Sequence, residues 1–295
     1  MAHDHAHHKG GSTKNLKIAF FINIGFTCLE IVGGFFTNSV AIISDALHDL
    51  GDSLSLGLAW YLEKKASRKA RTNRFSFGYA RFRLLGALVN ALILMGGFIY
   101  IFIEALGRLQ HPEAVKSEWM FVLGVIGVAA NGYAAWRTKD STSLNEKVVS
   151  WHLLEDVLGW VAVLIVSVVL QFKDWYFLDP LLSIVVTSYI LYGVGKRLWG
   201  TVHLLLQGVP EGIDPDEIKT KLLELNHVKS IHHTHVWSLD GQQHVFTTHL
   251  LLEEITKFDQ IDQVRQSAIE ALKKYHFDHY TIQVELSSNT CELSE

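Results

Sequence analysis

Six apolar runs dominate this chain, at residues 16–37, 40–62, 83–106, 118–137, 148–171 and 177–206. A helix that crosses a bilayer needs about 20 mostly apolar residues, and each run is long enough. The four prolines, Pro112, Pro180, Pro210 and Pro215, fall near the ends of these runs or beyond them, where helix breakers belong. Charged residues make up 19% of the chain, fewer than the roughly 25% of an ordinary soluble domain. The expectation is a polytopic α-helical membrane protein with six transmembrane helices, the last continuing past the membrane.

Loop charge orients the spans. The connection "EKKASRKARTNRFSFGYARFR" carries eight Lys/Arg and one acid. The fourth connection, "RTKDSTSLNEK", and the N-terminal tail are also basic, whereas "QHPEAVKSE" and "FKDWYF" are short and less so. Under the positive-inside rule the N-terminus and the even-numbered loops are cytoplasmic, and six spans return the C-terminus to the same side.

From Gln207 onward the composition changes, with 15 Asp/Glu against 7 Lys/Arg. No basic stripe is present there, which argues against nucleic acid as a partner. "DPDEIKTKLLELN" has helical spacing at Ile218, Leu222, Leu223 and Leu225, and "FDQIDQVRQSAIEALKKYH" reads as an amphipathic helix. "VKSIHHTHVWSL" and "QHVFTTHLLL" have strand character across the turn "DGQ", and "YTIQVEL" reads as a last strand. The order αββαβ predicts a small cytoplasmic α+β domain, ferredoxin-like or metallochaperone-like. So small a core is marginal alone and favours a dimer partner. The expected division is therefore a His-rich cytoplasmic tail at 1–14, a six-helix membrane domain at 15–206 and the α+β domain at 207–295.

Cys28 and Cys291 make no disulfide framework. The opening "MAHDHAHHKG" lacks the apolar segment of a signal peptide. With His3, His5, His7 and His8 it reads equally as a cloning remnant or as a native metal-attracting tail.

The second run contains "SDALHDLGDS", with Asp45, His48, Asp49 and Asp52 in eight positions. His48 and Asp52 are four apart and share a helix face; Asp45 lies one turn earlier, and Asp49 is rotated by about 100°. The same H-x-x-x-D spacing recurs in the fifth run, "SWHLLEDVLGW", as His152 and Asp156. An Asp at mid-membrane costs roughly 2.5–3.5 kcal/mol on insertion scales, and such residues usually mark ion paths. Face to face, the two pairs make a four-ligand nitrogen and oxygen set suited to tetrahedral Zn2+. The absence of thiolates argues against Cu(I). Asp45 is a candidate proton relay or an acceptor behind a ligand, and Asp49 a candidate cavity-facing carboxylate; a plain interhelical hydrogen bond competes for each.

The chain resembles the cation diffusion facilitator family of zinc transporters over nearly its whole length. The resemblance lies in "NSVAIISDALHDLGDSLSLG", "RFSFGYARFRLLGALVNALIL", "HLLEDVLGWVAVL" and "DPLLSIVVTSYILYG", and in "HHTHVWSL" with "HYTIQVEL" in the tail. It implies that His48, Asp52, His152 and Asp156 form a transport site, and that cytosolic Zn2+ is exchanged for protons by a homodimer. It also implies a cytosolic zinc site, with structural or regulatory Zn2+, at His232, His249 and Glu285. Gln283 stands where some relatives carry a histidine, which puts a second metal there in doubt. Asp262 is a loosely aligned candidate, and His235 and His279 are alternatives. Strict strand alternation places His233 and His235 on one face and His232 on the other. Asn23 and Glu30 in the first run match family positions and are read as structural, and Asn90 as a packing contact.

Some relatives hold a further zinc in the loop after the second span. Here Tyr79 occupies the expected histidine position beside Arg74, so no loop site is expected; the loop's cations are read as holding anionic headgroups or pairing with the acidic tail. An intramembrane zinc enzyme would need an H-E-x-x-H type of motif, which the chain lacks, although Glu155 adjoins Asp156. A membrane-anchored zinc sensor is the other alternative, against which stand two intramembrane ligand pairs. The absence of a long His-rich loop between spans four and five points to a bacterial plasma membrane.

Overall fold

The computed structural model describes residues 24–66, 73–138 and 144–286. The chain divides into two compact units, one formed by residues 1–61 and 89–198, the other by 62–88 and 199–295. The N-terminal histidines, Asn23 and Cys291 lie outside the described residues.

Six helices follow one another in the order of the apolar runs. They are α1 (Ile24–Thr37), α2 (Val40–Ala66), α3 (Phe82–Gln110), α4 (Ser117–Thr138), α5 (Leu144–Phe172) and α6 (Leu178–Leu205). Four segments, Phe82–Gln110, Ser117–Trp136, Leu153–Phe172 and Leu178–Leu205, are long and apolar enough to cross a membrane. Helix α2 has the length, 27 residues, but its carboxylates and histidine lower its apolar character. Only 14 residues of α1 are described, from Ile24 to Thr37.

The α1–α2 corner shows why one helix stops and the next starts. Asn38 closes α1 in the left-handed region at φ 60°, a conformation that Asn tolerates better than most residues. Ser39 then caps α2: its Oγ accepts the N–H of Ile42 at 3.2 Å.

The membrane unit is packed tightly where glycine faces a large side chain. A Cβ on Gly127 of α4 would lie 2.1 Å from Cδ2 of Trp160 on α5. Trp160 is 1% exposed and sits in a core with Ala41, Ile42, Met120 and Val163. Between α2 and α3, Asn90 donates to the Ser55 hydroxyl at 2.5 Å, the packing role expected of it.

The second unit contains α7 (Pro215–Leu223), β1 (Val228–Ser238), β2 (His244–Leu252), α8 (Phe258–Leu272), a single 3₁₀ turn at Lys273–Tyr275 and β3 (Phe277–Glu285). This is the expected αββαβ order. Asp214 caps α7 by accepting the N–H of Asp216 at 2.9 Å, with Pro215 in the first turn. The sheet order is β1-β2-β3, with β1 antiparallel and β3 parallel to the central β2. Ile218 and Leu222 on α7, and Val264, Ala268 and Leu272 on α8, recur at spacings of four. They pack on Ile231, Phe246, Leu250 and Leu252 of the sheet. In the hairpin, Asp240 accepts the N–H groups of Gln242 and Gln243 at 3.0 and 2.8 Å, and Gly241 supplies φ 89°.

Within this unit Arg83, in the first turn of α3, donates to the buried Asp240 carboxylate at 2.6 Å. One loop cation thus pairs with an acid of the tail. Phe75, Tyr79 and Phe82 form an aromatic cluster with ring centroids 5.1–5.5 Å apart.

Candidate metal centres

The polar stripe of α2 turns toward its neighbours. His48 Nε2 lies 4.0 Å from Asp52 Oδ2, as their spacing of one helical turn requires. One turn earlier, Asp45 Oδ1 lies 3.9 Å from where a Cβ on Gly159 of α5 would sit. Asp156 precedes Gly159 by three residues and so occupies the same face of α5. Glycine at 159 lets the two polar stripes approach closely.

Glu30 of α1 is fully buried and within electrostatic reach of Asp49, Asp45 and Asp156. Asp49 is itself buried. The carboxylates of α1, α2 and α5 therefore share one interior region. His152 lies on α5 one turn before Asp156, and its side chain falls outside the described residues. Glu155, the residue that kept an enzyme reading open, faces outward and accepts the Tyr189 hydroxyl at 3.2 Å.

A further carboxylate was not singled out in the sequence. Asp179, at the start of α6, is 1% exposed. It accepts the Ser39 hydroxyl at 2.5 Å and the N–H of Val40 at 2.7 Å. It thereby joins the start of α6 to the start of the helix carrying His48 and Asp52. On the other side of that corner Arg108 donates to the Asn38 carbonyl at 3.0 Å and its side-chain oxygen at 2.8 Å. The available signal was an acid beside Pro180 at the start of an apolar run.

In the second unit, one group of three His/Cys/Asp/Glu residues among those described brings ligand atoms within 4.8 Å of one another: His232, His249 and Glu285. The sheet register builds it. His232 pairs with His249 across β1 and β2, and Leu251, two residues on, pairs with Glu285 of β3. Glu285 is 4% exposed. Its Oε1 lies 2.8 Å from His249 Nδ1 and its Oε2 lies 3.2 Å from His232 Nε2. The second pair lacks hydrogen-bond alignment, so His232 Nε2 and Glu285 Oε2 are buried without a hydrogen-bond partner among the described residues. Two facing, unsatisfied polar atoms beside an imidazole–carboxylate pair are chemically suited to a shared cation.

The lesser candidates lie around this set or away from it. Gln283 donates from Nε2 to Glu285 Oε1 at 3.2 Å and steadies the carboxylate. Asp262 is exposed on α8. His279 stacks edge-on against Phe77, with centroids 5.4 Å apart. His235 pairs with Thr247, two residues before His249 on β2.

Strict alternation fails on β1. His232 pairs with His249 and His235 with Thr247, so His233 and Thr234 together oppose the single residue Thr248. This β-bulge returns His235 to the face of His232, because Thr247 and His249 share a face of β2. His233 occupies the bulge at φ 50°.

Both parts of the chain match known protein families. The cation efflux transmembrane domain family matches residues 16–206, and the cytoplasmic domain of cation efflux proteins matches 210–287. Zinc transporter ZitB of Escherichia coli is 32% identical over 308 residues, covering 100% of this chain and 97% of the relative. The metal cation efflux system protein CzcD of Cupriavidus metallidurans is 33% identical over 300 residues, covering 100% and 93%. A cadmium, cobalt and zinc/H(+)-K(+) antiporter of Bacillus velezensis is 31% identical over 293 residues, covering 98% and 93%.

Proposed function

We propose that this chain, which belongs to the cation efflux (cation diffusion facilitator) family of membrane transporters and is not an enzyme, exports Zn2+ from the cytoplasm in exchange for protons. The cargo passes through His48, Asp52, His152 and Asp156, between α2 and α5. One observation carries this reading: Asp45 of α2 sits against Gly159 of α5, one turn from His48 on one helix and one turn from Asp156 on the other.

The coupling follows from ligand chemistry. Zn2+ is held by neutral imidazole and ionised carboxylate, so metal and protons compete for the same four side chains. Facing the cytoplasm, the site loses protons as it takes up metal. Facing outward, protons displace the metal and return. Asp45 and Asp49 line the same interior, within electrostatic reach of the structural Glu30, and supply further carboxylates along the proton's route. The names of relatives that transport zinc, one of them an antiporter with H(+), agree with this exchange.

The chain acts as a homodimer in a bacterial plasma membrane, with both termini cytoplasmic and residues 1–14, 15–206 and 207–295 as tail, membrane domain and α+β domain. The α+β domain holds a structural or regulatory Zn2+ at His232, His249 and Glu285. The decisive test is reconstitution into proteoliposomes carrying a zinc dye and a pH dye. Wild type moves Zn2+ and protons in opposite directions, and Asp52→Ala and Asp156→Ala move neither. Zinc flux at the wild-type rate in either variant would sink the assignment. Zinc-dependent signalling without flux would favour the sensor.

A further inference from the structure

The bulge on β1 places an additional imidazole against the cytosolic metal set. The ring centroids of His232 and His249 lie 5.3 Å apart, those of His233 and His249 5.3 Å, and those of His232 and His233 6.2 Å. These spacings can be compared with what a metal would impose. With Zn–N bonds of about 2.0–2.1 Å and tetrahedral angles, imidazole centroids come to lie about 5.2 Å apart. Two of the three separations already match; the third is about 1 Å too long, and the His233 nitrogens lie outside the 4.8 Å cluster of ligand atoms formed by His232, His249 and Glu285, so metal binding requires that ring to turn inward.

The backbone supports the same conclusion. His233 adopts the left-handed region at φ 50°, the conformation that a bulge of this kind gives its first residue. An unbulged β1 would turn His233 to the face opposite His232. The extra residue instead leaves the His233 ring against that of His249, which itself contacts the buried Glu285.

We propose that His233 is the fourth protein ligand of the cytosolic centre, which is then a closed His3Glu site and not a three-ligand site with an open position. This rests on the reading that the domain binds Zn2+ through His232, His249 and Glu285. A closed tetrahedron leaves no position for water or an exchanging ligand, the hallmark of a structural ion. The ion would pin the β1 bulge to β2 and β3 and remain bound while the intramembrane site turns over. His235, whose partner Thr247 lies two residues before His249, is outside the set.

The test uses the full-length protein in detergent with Asp52→Ala and Asp156→Ala, so that the intramembrane set is silent, and Co2+ as a spectroscopic substitute for Zn2+. The signal is the visible d–d absorption that is lost when His249→Ala is added. That subtraction removes any Co2+ held by the N-terminal histidines. Four-coordinate Co2+ absorbs several-fold more strongly than five- or six-coordinate Co2+. His233→Asn removes the imidazole and keeps a residue that tolerates the left-handed backbone. The expected result is one His249-dependent Co2+ per chain with a strong tetrahedral band. In His233→Asn the band shifts as water takes the place of an imidazole and Zn2+ affinity falls by at least about tenfold, while His235→Asn changes neither. An unchanged band and affinity in His233→Asn overturn the proposal and leave the three-ligand site standing. No His249-dependent Co2+ at all overturns the domain site, and this proposal with it.

Discussion

The carboxylate of Asp179 accepts the backbone N–H of Val40 at 2.7 Å, so the first residue of α2 is held by the second residue of α6. The first amides of a helix have no partners of their own and carry the positive end of its dipole. Ser39 takes one of them, and Asp179 takes another from 139 residues away. Asp179→Ala leaves a buried N–H unpaired, a loss of about 1–3 kcal/mol. The expected outcome is a lower melting temperature in detergent and slower zinc flux. Asp179→Asn keeps an acceptor and lies between the alanine variant and wild type in both measurements.

The architecture was largely legible because the bilayer writes it into composition. A spanning helix must be apolar along its length, so the helix positions and the polar stripe at Asp45, His48, Asp49 and Asp52 both stood out. The αββαβ order was legible from periodicity. The bulge at His233 was not, because alternation assigns one residue per step and an inserted residue leaves no mark in the pattern. Asp179 read as the flank of an apolar run, since its partner lies on a helix remote in sequence. The convergence of His249 and Glu285 was available only through family resemblance; the parallel pairing of β2 with β3 is what produces it.

Helices α4 and α5 meet where Gly127 faces Trp160, with 2.1 Å between a built Cβ and the indole. Trp160 is buried and has no open side toward which to retreat. Gly127→Ala should therefore cost about 1–3 kcal/mol through overpacking. Gly132, on the same helix, has nothing within 4 Å of a built Cβ. Gly132→Ala should be neutral or gain up to roughly 1 kcal/mol from helix propensity. Thermal melts of the two variants in one detergent check the pair, and equal melting temperatures would contradict the packing argument.

In the second unit Glu217 accepts from Lys221 at 2.8 Å and from Lys274 at 2.6 Å, joining α7 to the turn after α8. The two ammonium donors hold its carboxyl down to about 2, from an ordinary value of 4.5. The folded state thus favours the ionised form. The stabilisation is fully present above pH 4.5 and is lost as pH falls toward 2. Glu217 is exposed, so salt screens the effect. Denaturant midpoints of wild type and Glu217→Gln should differ by a constant amount from pH 7 to 5 and converge below pH 4. At 1 M salt the difference should shrink at every pH.

The approach of Asp45 to Gly159 gives a graded test of the α2–α5 interface. A Cβ at 159 would sit 3.9 Å from Asp45 Oδ1, ordinary contact. Gly159→Ala therefore fits, and its better helix propensity offsets the small loss of space. Gly159→Leu adds three more carbons where the Asp45 carboxylate sits. It must push α5 away from α2 or turn Asp45 out of the interior. Either movement separates His48 and Asp52 from Asp156, and a displacement of about 1 Å is enough to cost a positioned site on the order of 100-fold. In proteoliposomes the alanine variant should transport within about twofold of wild type, and the leucine variant should lose at least about tenfold in rate by the same argument. Matched expression and helical content by circular dichroism separate this outcome from misfolding. Wild-type flux from Gly159→Leu would mean that the ion does not pass between these two helices.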